Sequence, residues 1–132
     1  MSLETFDPEG LPRPQTYSHA VATKGDRLVF VAGQVAEDAQ GDVVGRGDLA
    51  AQSRQAFANL GRALASAGAR PDQVAKITIL VAGYRRDDLP AIEQGRVALF
   101  GTHRPADTLF GVAALSHPDY RIEVDAIAVL DD

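Results

Sequence analysis

The sequence predicts an α+β domain in the order β-β-α-β-α-β-β, with both helices on one face of a single sheet. Two observations carry this. At the C-terminal end, Thr108 to Leu115 is an apolar run of small residues, and Tyr120 to Leu130 alternates with the period of a strand. Ile122, Val124, Ala126, Ala128 and Leu130 share one face of that strand; Arg121, Glu123, Asp125, Ile127 and Val129 share the other. Further back, two segments with apolar residues at helical spacing are each followed by a strand-like run. Each such strand can return to the same sheet, which puts both helices on one side of it.

In chain order, Leu3 to Pro14 holds three prolines and two glutamates. Residues 1–15 are therefore expected to be an irregular arm, and residues 16–132 a single domain. Tyr17 to Thr23 is expected as the first strand. It turns at Lys24-Gly25-Asp26 into Arg27 to Val35 (RLVFVAGQV), and the two make a hairpin. Gly33 inside the second strand points to a bulge or to a group approaching closely. Glu37 to Gly47 is polar and glycine-rich, hence a loop. Asp48 is the N-cap of the first helix, whose buried stripe is Ser53, Ala56, Phe57, Leu60, Leu64 and Ala67. Gln52, Gln55 and Asn59 flank that stripe. Gly68 takes the left-handed position that ends the helix. Lys76 to Ala82 (KITILVA) is apolar on both faces, as a buried strand is. Asp87 or Asp88 caps the second helix, with Pro90 in its first turn and Leu89, Ile92, Leu99 and Phe100 as its core face. The second face of the sheet then needs a cover, and another subunit is the expected one.

Composition narrows the function classes. At 132 residues the chain fits one ordinary domain. The net charge of -5 and the lack of any dense basic run argue against a nucleic-acid surface. With no cysteine, disulfides, thiolate catalysis and cysteine-held metals are out. No apolar run approaches membrane-span length and the N-terminus does not read as a signal peptide, so a cytoplasmic protein without membrane contact is expected. No histidine pair has metalloprotease spacing, so no metal site is expected, and no motif asks for a cofactor.

YSHAV at 17–21, VFVAGQV at 29–35, AAQSRQAFANLGRALASAGARPDQVAKITILV at 50–81, RPA at 104–106 and IEVDAIAV at 122–129 together resemble the RidA family (YjgF/Rid, formerly endoribonuclease L-PSP). The resemblance implies a chorismate-mutase-like fold with a mixed sheet. It also implies a homotrimer with a central barrel and small-molecule clefts between subunits. The family's founding branch hydrolyses 2-imino and enamine acids and grips the substrate carboxylate with an arginine directly after the Pro-Ala pair. Here Asp107 follows Pro105-Ala106, and an aspartate repels a carboxylate.

The resemblance carries further positions over. Tyr17 stands at a cleft tyrosine. Gly33 stands where backbone approaches the ligand, and Ala32 stands where the imine hydrolases have a serine. Asp125 stands at the glutamate that orients the attacking water, and Glu93 at a cleft asparagine. Leu109 joins them as a binding position. On this reading Asp107 and Asp125 are the catalytic candidates, and with Glu93 they make the pocket acidic.

Each position has a plainer reading. Asp107 suits a turn after Pro-Ala. Asp125 suits an ion pair with Arg121 or with an arginine of a neighbouring subunit. Tyr17 lines a cleft more readily than it catalyses, and His19, His103 and His117 suit structural or surface roles. The function expected is a hydrolase or deaminase-like enzyme acting on a small C–N compound, other than the standard 2-iminoacid deaminase. A trimeric metabolite-binding protein is the alternative, and ribonuclease action ranks last. Arg104, Arg96 and Arg13 are the cations that could stand in for the missing arginine.

Overall fold

The computed structural model describes residues 3–7, 9–10, 12–25 and 27–131. The strands are β1 (Leu3–Phe6), β2 (Ala20–Thr23), β3 (Arg27–Val35), β4 (Val74–Ala82), β5 (Ala106–Val112) and β6 (Ile122–Leu130). The helices are α1 (Leu49–Ser66) and α2 (Leu89–Phe100). A four-stranded mixed sheet runs β3-β6-β4-β5, antiparallel except for the β4–β5 pair, which α2 connects as a crossover. The α+β class and the order of the main elements match the sequence reading.

Both helices lie on one face of the sheet. Ala56, Phe57, Leu60 and Leu64 of α1 pack with Ile92 and Phe100 of α2 on Ile77, Ile79, Val81, Ile122, Val124 and Ala126. Asp48 caps α1 as expected, its carboxylate accepting the Ala51 N–H at 3.0 Å. Gly68, at φ +80°, follows the C-cap Ala67. Gly95 allows a close crossing, because a Cβ there would stand 2.3 Å from the Ser53 carbonyl oxygen. The Ser53 hydroxyl donates to the Ile92 carbonyl at the same crossing, at 2.7 Å.

Four expectations need correction. The arm is not irregular throughout: Leu3–Phe6, ahead of the first proline, forms β1. Proline bars strand pairing only where it sits. The hairpin between the first strand and Arg27–Val35 does not form. β2 covers only Ala20–Thr23 and pairs antiparallel with β1, while β3 pairs with β6. The expected turn includes Asp26, which lies outside the described residues. Leu89 is 39% exposed, since as the first helical residue it falls short of the packed stripe. Val129, assigned to the charged face, is 1% exposed; it lies where the β4–β6 register shifts between Val74 and Lys76.

Among the described residues no helix covers the other face of the sheet, the open face. Register places Lys76, Thr78 and Leu80 of β4 there beside Thr108 and Phe110 of β5 and Glu123, Asp125 and Ile127 of β6. Phe30 of β3 pairs with Ile127 on the same face. Among the described residues no helix is long and apolar enough to cross a membrane.

Candidate functional site

The site begins with a charged residue in an apolar stripe. On α2, Ile92, Arg96 and Phe100 recur every fourth residue and are buried. Arg96 is only 5% exposed, and a guanidinium so buried must be paired. Its Nη2 is paired with Asp107 at the start of β5. Its Nε donates to Glu93 Oε2 at 2.5 Å, one turn back on α2. Its Nη1 donates to the Thr16 carbonyl at 3.4 Å. The Thr16 hydroxyl donates in turn to Glu93 Oε1 at 2.5 Å. Two carboxylates and one guanidinium thus form a closed network that fastens the segment before β2 onto α2 and β5.

That segment carries Tyr17 and is held a second time from below. The Ser18 N–H donates to the Pro105 carbonyl at 3.0 Å, and the Ser18 hydroxyl donates to the Arg104 carbonyl. Ser18 and Ala106 form a parallel bridge that extends the sheet past β5. Arg104 donates through Nη1 to the Pro14 carbonyl at 2.8 Å and pairs through Nη2 with Asp7. Asp7 also accepts the His19 N–H at 3.1 Å. That backbone bond, more than the Arg104 charge, holds the Asp7 carboxyl below the usual carboxylate range. The His19 ring meets the Pro12 carbonyl at 2.7 Å and Tyr17 edge-on at 5.7 Å, a structural role. His103 likewise meets the Val74 carbonyl at 2.7 Å.

Tyr17, Glu93 and Asp107 therefore gather at one end of β5. Leu109, on the same face as Asp107, packs against the core. Asp125 is placed elsewhere. It pairs with Thr78, which pairs with Thr108, so alternation puts Asp125 on the open face and Asp107 on the helix face. Asp125 Oδ1 accepts the Thr78 N–H at 3.2 Å, while Arg121 goes to Asp88 and to the Ala82 carbonyl. Ala32 and Gly33 are exposed in the bulge of β3, where the register with β6 shifts. A Cβ on Gly33 would meet the Glu123 carboxylate at 2.0 Å, so that side chain lies across the glycine. β3 and β5 are opposite edges of the four-stranded sheet, about 14 Å apart at ordinary strand spacing.

Within one chain Asp107 lies in β5 and not in a turn, paired with Arg96, and Asp125 lies on the opposite face of the same sheet. Among the described residues no cluster of three or more His, Asp or Glu side chains is arranged to hold a metal. A separate shallow groove of about 700 Å³ lies beside the loop after β3, lined by Gln34, Glu37, Gln55, Asn59 and Arg62. Its amides already bind backbone: Asn59 donates to the Val35 and Glu37 carbonyls, both at 2.9 Å.

Thr16 is the member of the network that the sequence reading did not name, and Arg96 was named there only as a stand-in for the missing arginine, not as the partner of Asp107. Arg96 was legible as a charge at a core position of α2, four residues after Ile92 and four before Phe100. Thr16 gave no signal, because its role is set by a segment that crosses the sheet end.

Comparison with known proteins agrees with the fold. A family model described as endoribonuclease L-PSP matches residues 11–130. The 3-aminoacrylate deaminase RutC of Acinetobacter baylyi is 35% identical over 97% of this chain and 98% of its own length. A 2-iminobutanoate/2-iminopropanoate deaminase of Rattus norvegicus is 35% identical over 86% of this chain and 79% of its own. The crystal structure of YyfB from Yersinia pestis, a Rid-family protein of unknown function, superposes with a TM-score of 0.93 at 37% identity, covering 98% of this chain and 100% of that one. The chain belongs to the RidA (YjgF/Rid) family, also described as endoribonuclease L-PSP.

Proposed function

We propose that this chain is a deaminase-like hydrolase of its family, acting on a small imine, enamine or related C–N compound in clefts between three copies of the chain. Its relatives' names supply the reaction class. The inter-subunit site is supported by the placement of its parts: Tyr17, Glu93 and Asp107 at the β5 edge, and Ala32 and Gly33 at the β3 edge. One sheet cannot close a small pocket from both edges, whereas two neighbouring sheets can. Water adds across the C=N bond, Asp125 taking its proton and returning it to the nitrogen, and the resulting carbinolamine releases ammonia and leaves a carbonyl.

The pairing of Asp107 with Arg96 carries the departure from the relatives. Those relatives' substrates are named as carboxylates. Here residue 107 is an acid, and Arg96 and Arg104 are both engaged by oxygens of this chain. The substrate is therefore one that presents no carboxylate at this position. The same observation favours a second reading, a trimer that binds a metabolite without turning it over. Ribonuclease action is disfavoured by the net charge of -5, which opposes phosphate binding.

The test is ammonia release from freshly generated imines with and without a carboxylate. The wild type is expected to turn over carboxylate-free imines, and Asp125→Asn to lose roughly 10²- to 10⁴-fold in kcat. Preferential turnover of 2-imino acids would defeat the assignment of Asp107. Unchanged turnover in Asp125→Asn would remove Asp125 from the mechanism. Saturable binding with no turnover of any imine would select the binding protein.

A further inference from the structure

We propose that Asp107 is a built-in carboxylate ligand of Arg96, and that Arg96 decides whether this end of the cleft accepts a carboxylate. The inference rests on the reading above only for where a ligand sits; its test reads binding and stability rather than turnover, so the two can fail separately.

Three features support it. Arg96 projects from the buried stripe of α2, where a guanidinium has to be matched by oxygens. Each nitrogen of its planar fork is engaged by this chain: Nη2 by Asp107, Nε by Glu93 and Nη1 by the Thr16 carbonyl. The Asp107 side chain is in effect an acetate tethered to β5, and its side chain is 11% exposed, at the margin between the buried arginine and the surface. An external carboxylate reaching Nη2 has to displace Asp107 and put a third carboxylate around one guanidinium. Arg104 offers no alternative, being held by Asp7 and the Pro14 carbonyl. The wild-type site thus refuses carboxylates while keeping the guanidinium that would bind one.

Removing the tethered carboxylate while leaving Arg96 in place should convert the lock into an anion site. Asp107→Gly deletes the carboxymethyl group and leaves a space the size of formate or acetate against Nη2. The variant is expected to melt below the wild type in chloride buffer. Formate or acetate should then raise its melting temperature saturably, as a ligand of the native state does, and the wild type should show no such shift at equal ionic strength. Binding of ¹³C-formate to the variant, read by line broadening, should be lost in Arg96→Met/Asp107→Gly. If Asp107→Gly does not fold in chloride, it is refolded with and without acetate, and recovery only with acetate supports the proposal. Asp107→Ser, which keeps an acceptor beside Nη2, is measured in parallel. The proposal is overturned if neither variant responds to either anion, or if wild type and variant respond equally.

Discussion

Tyr120 shows how a single buried polar group ties the site's flank to pH. It is nearly fully buried, its hydroxyl donates to Glu37 Oε2 at 3.1 Å, and His117 packs on its ring at 5.2 Å. Burial first, and the Glu37 carboxylate second, push its ionisation above the ordinary phenol value. The folded state therefore holds this proton more tightly than the unfolded state. The resulting stabilisation is complete below about pH 10 and is lost as pH rises through the higher folded value. An alkaline titration followed by phenolate absorbance should show one of the three tyrosines ionising late, together with unfolding. Tyr120→Phe should delete that late step; three tyrosines titrating together in the native protein would contradict this. At this scale the sequence was a partial guide. It exposed Asp107 as an unusual acid but not its partner, because Arg96 and Asp107 meet only after β4 and β5 pair and α2 folds over them. Gln52 is a parallel case. It flanks the stripe of α1 in sequence, yet it is buried, receiving the Arg121 N–H at 2.8 Å and donating to the Asp119 carbonyl at 2.7 Å.

At the scale of elements, the helix pair offers a sharper test than the sheet. Gly95 and Gly61 both lie at the α1–α2 contact and differ in what a methyl group would meet. At Gly95 it meets the Ser53 backbone at 2.3 Å, which cannot yield without moving a helix; at Gly61 it meets the tip of Leu99 at 2.8 Å, which can rotate. Alanine improves helix propensity by about 1 kcal/mol at either position. Overpacking at Gly95, which costs about 1–3 kcal/mol, should outweigh that gain, for a net loss of up to about 2 kcal/mol in urea denaturation. Gly61→Ala should be neutral or slightly stabilising. Equal effects at the two positions would mean that the helices do not cross as described. The first helix was legible because cap, stripe and terminator agree locally, whereas α2 has no side-chain cap and its first residue, Leu89, lies outside the packed stripe. The N-terminal strands were not legible, because the choice of β1 over β3 as the partner of β2 is made by competition between distant edges, which local alternation does not encode.

For the whole molecule, the decisive feature is the sheet face that the helices leave uncovered. Phe30 is 71% exposed, and Leu28 and Phe110 are each 50% exposed, on strands at opposite edges of the sheet. Phe30 and Phe110 are aromatic side chains on a sheet face that, among the described residues, no helix covers, a surface that isolated domains seldom leave in water. The sequence foresaw this much: counting elements left one face without a cover. Register supplies the rest, showing that Lys76, Thr78 and Thr108 share the open face with these aromatics, so assembly would bury polar side chains together with apolar ones. Lys76 already donates to the Thr108 hydroxyl at 2.7 Å, which prepares this pair for burial. If three copies close around this face, Phe30→Asp/Phe110→Asp should yield single chains by light scattering while keeping the helical signal of the wild type, since neither residue belongs to the helix-side core. Turnover should fall with assembly, because in the proposed arrangement the β3-edge and β5-edge parts of the cleft come from different copies. A wild type that is monomeric at micromolar concentration would remove the shared cleft, and with it the place proposed for the substrate. A double variant that remains trimeric would mean that the copies associate through another surface.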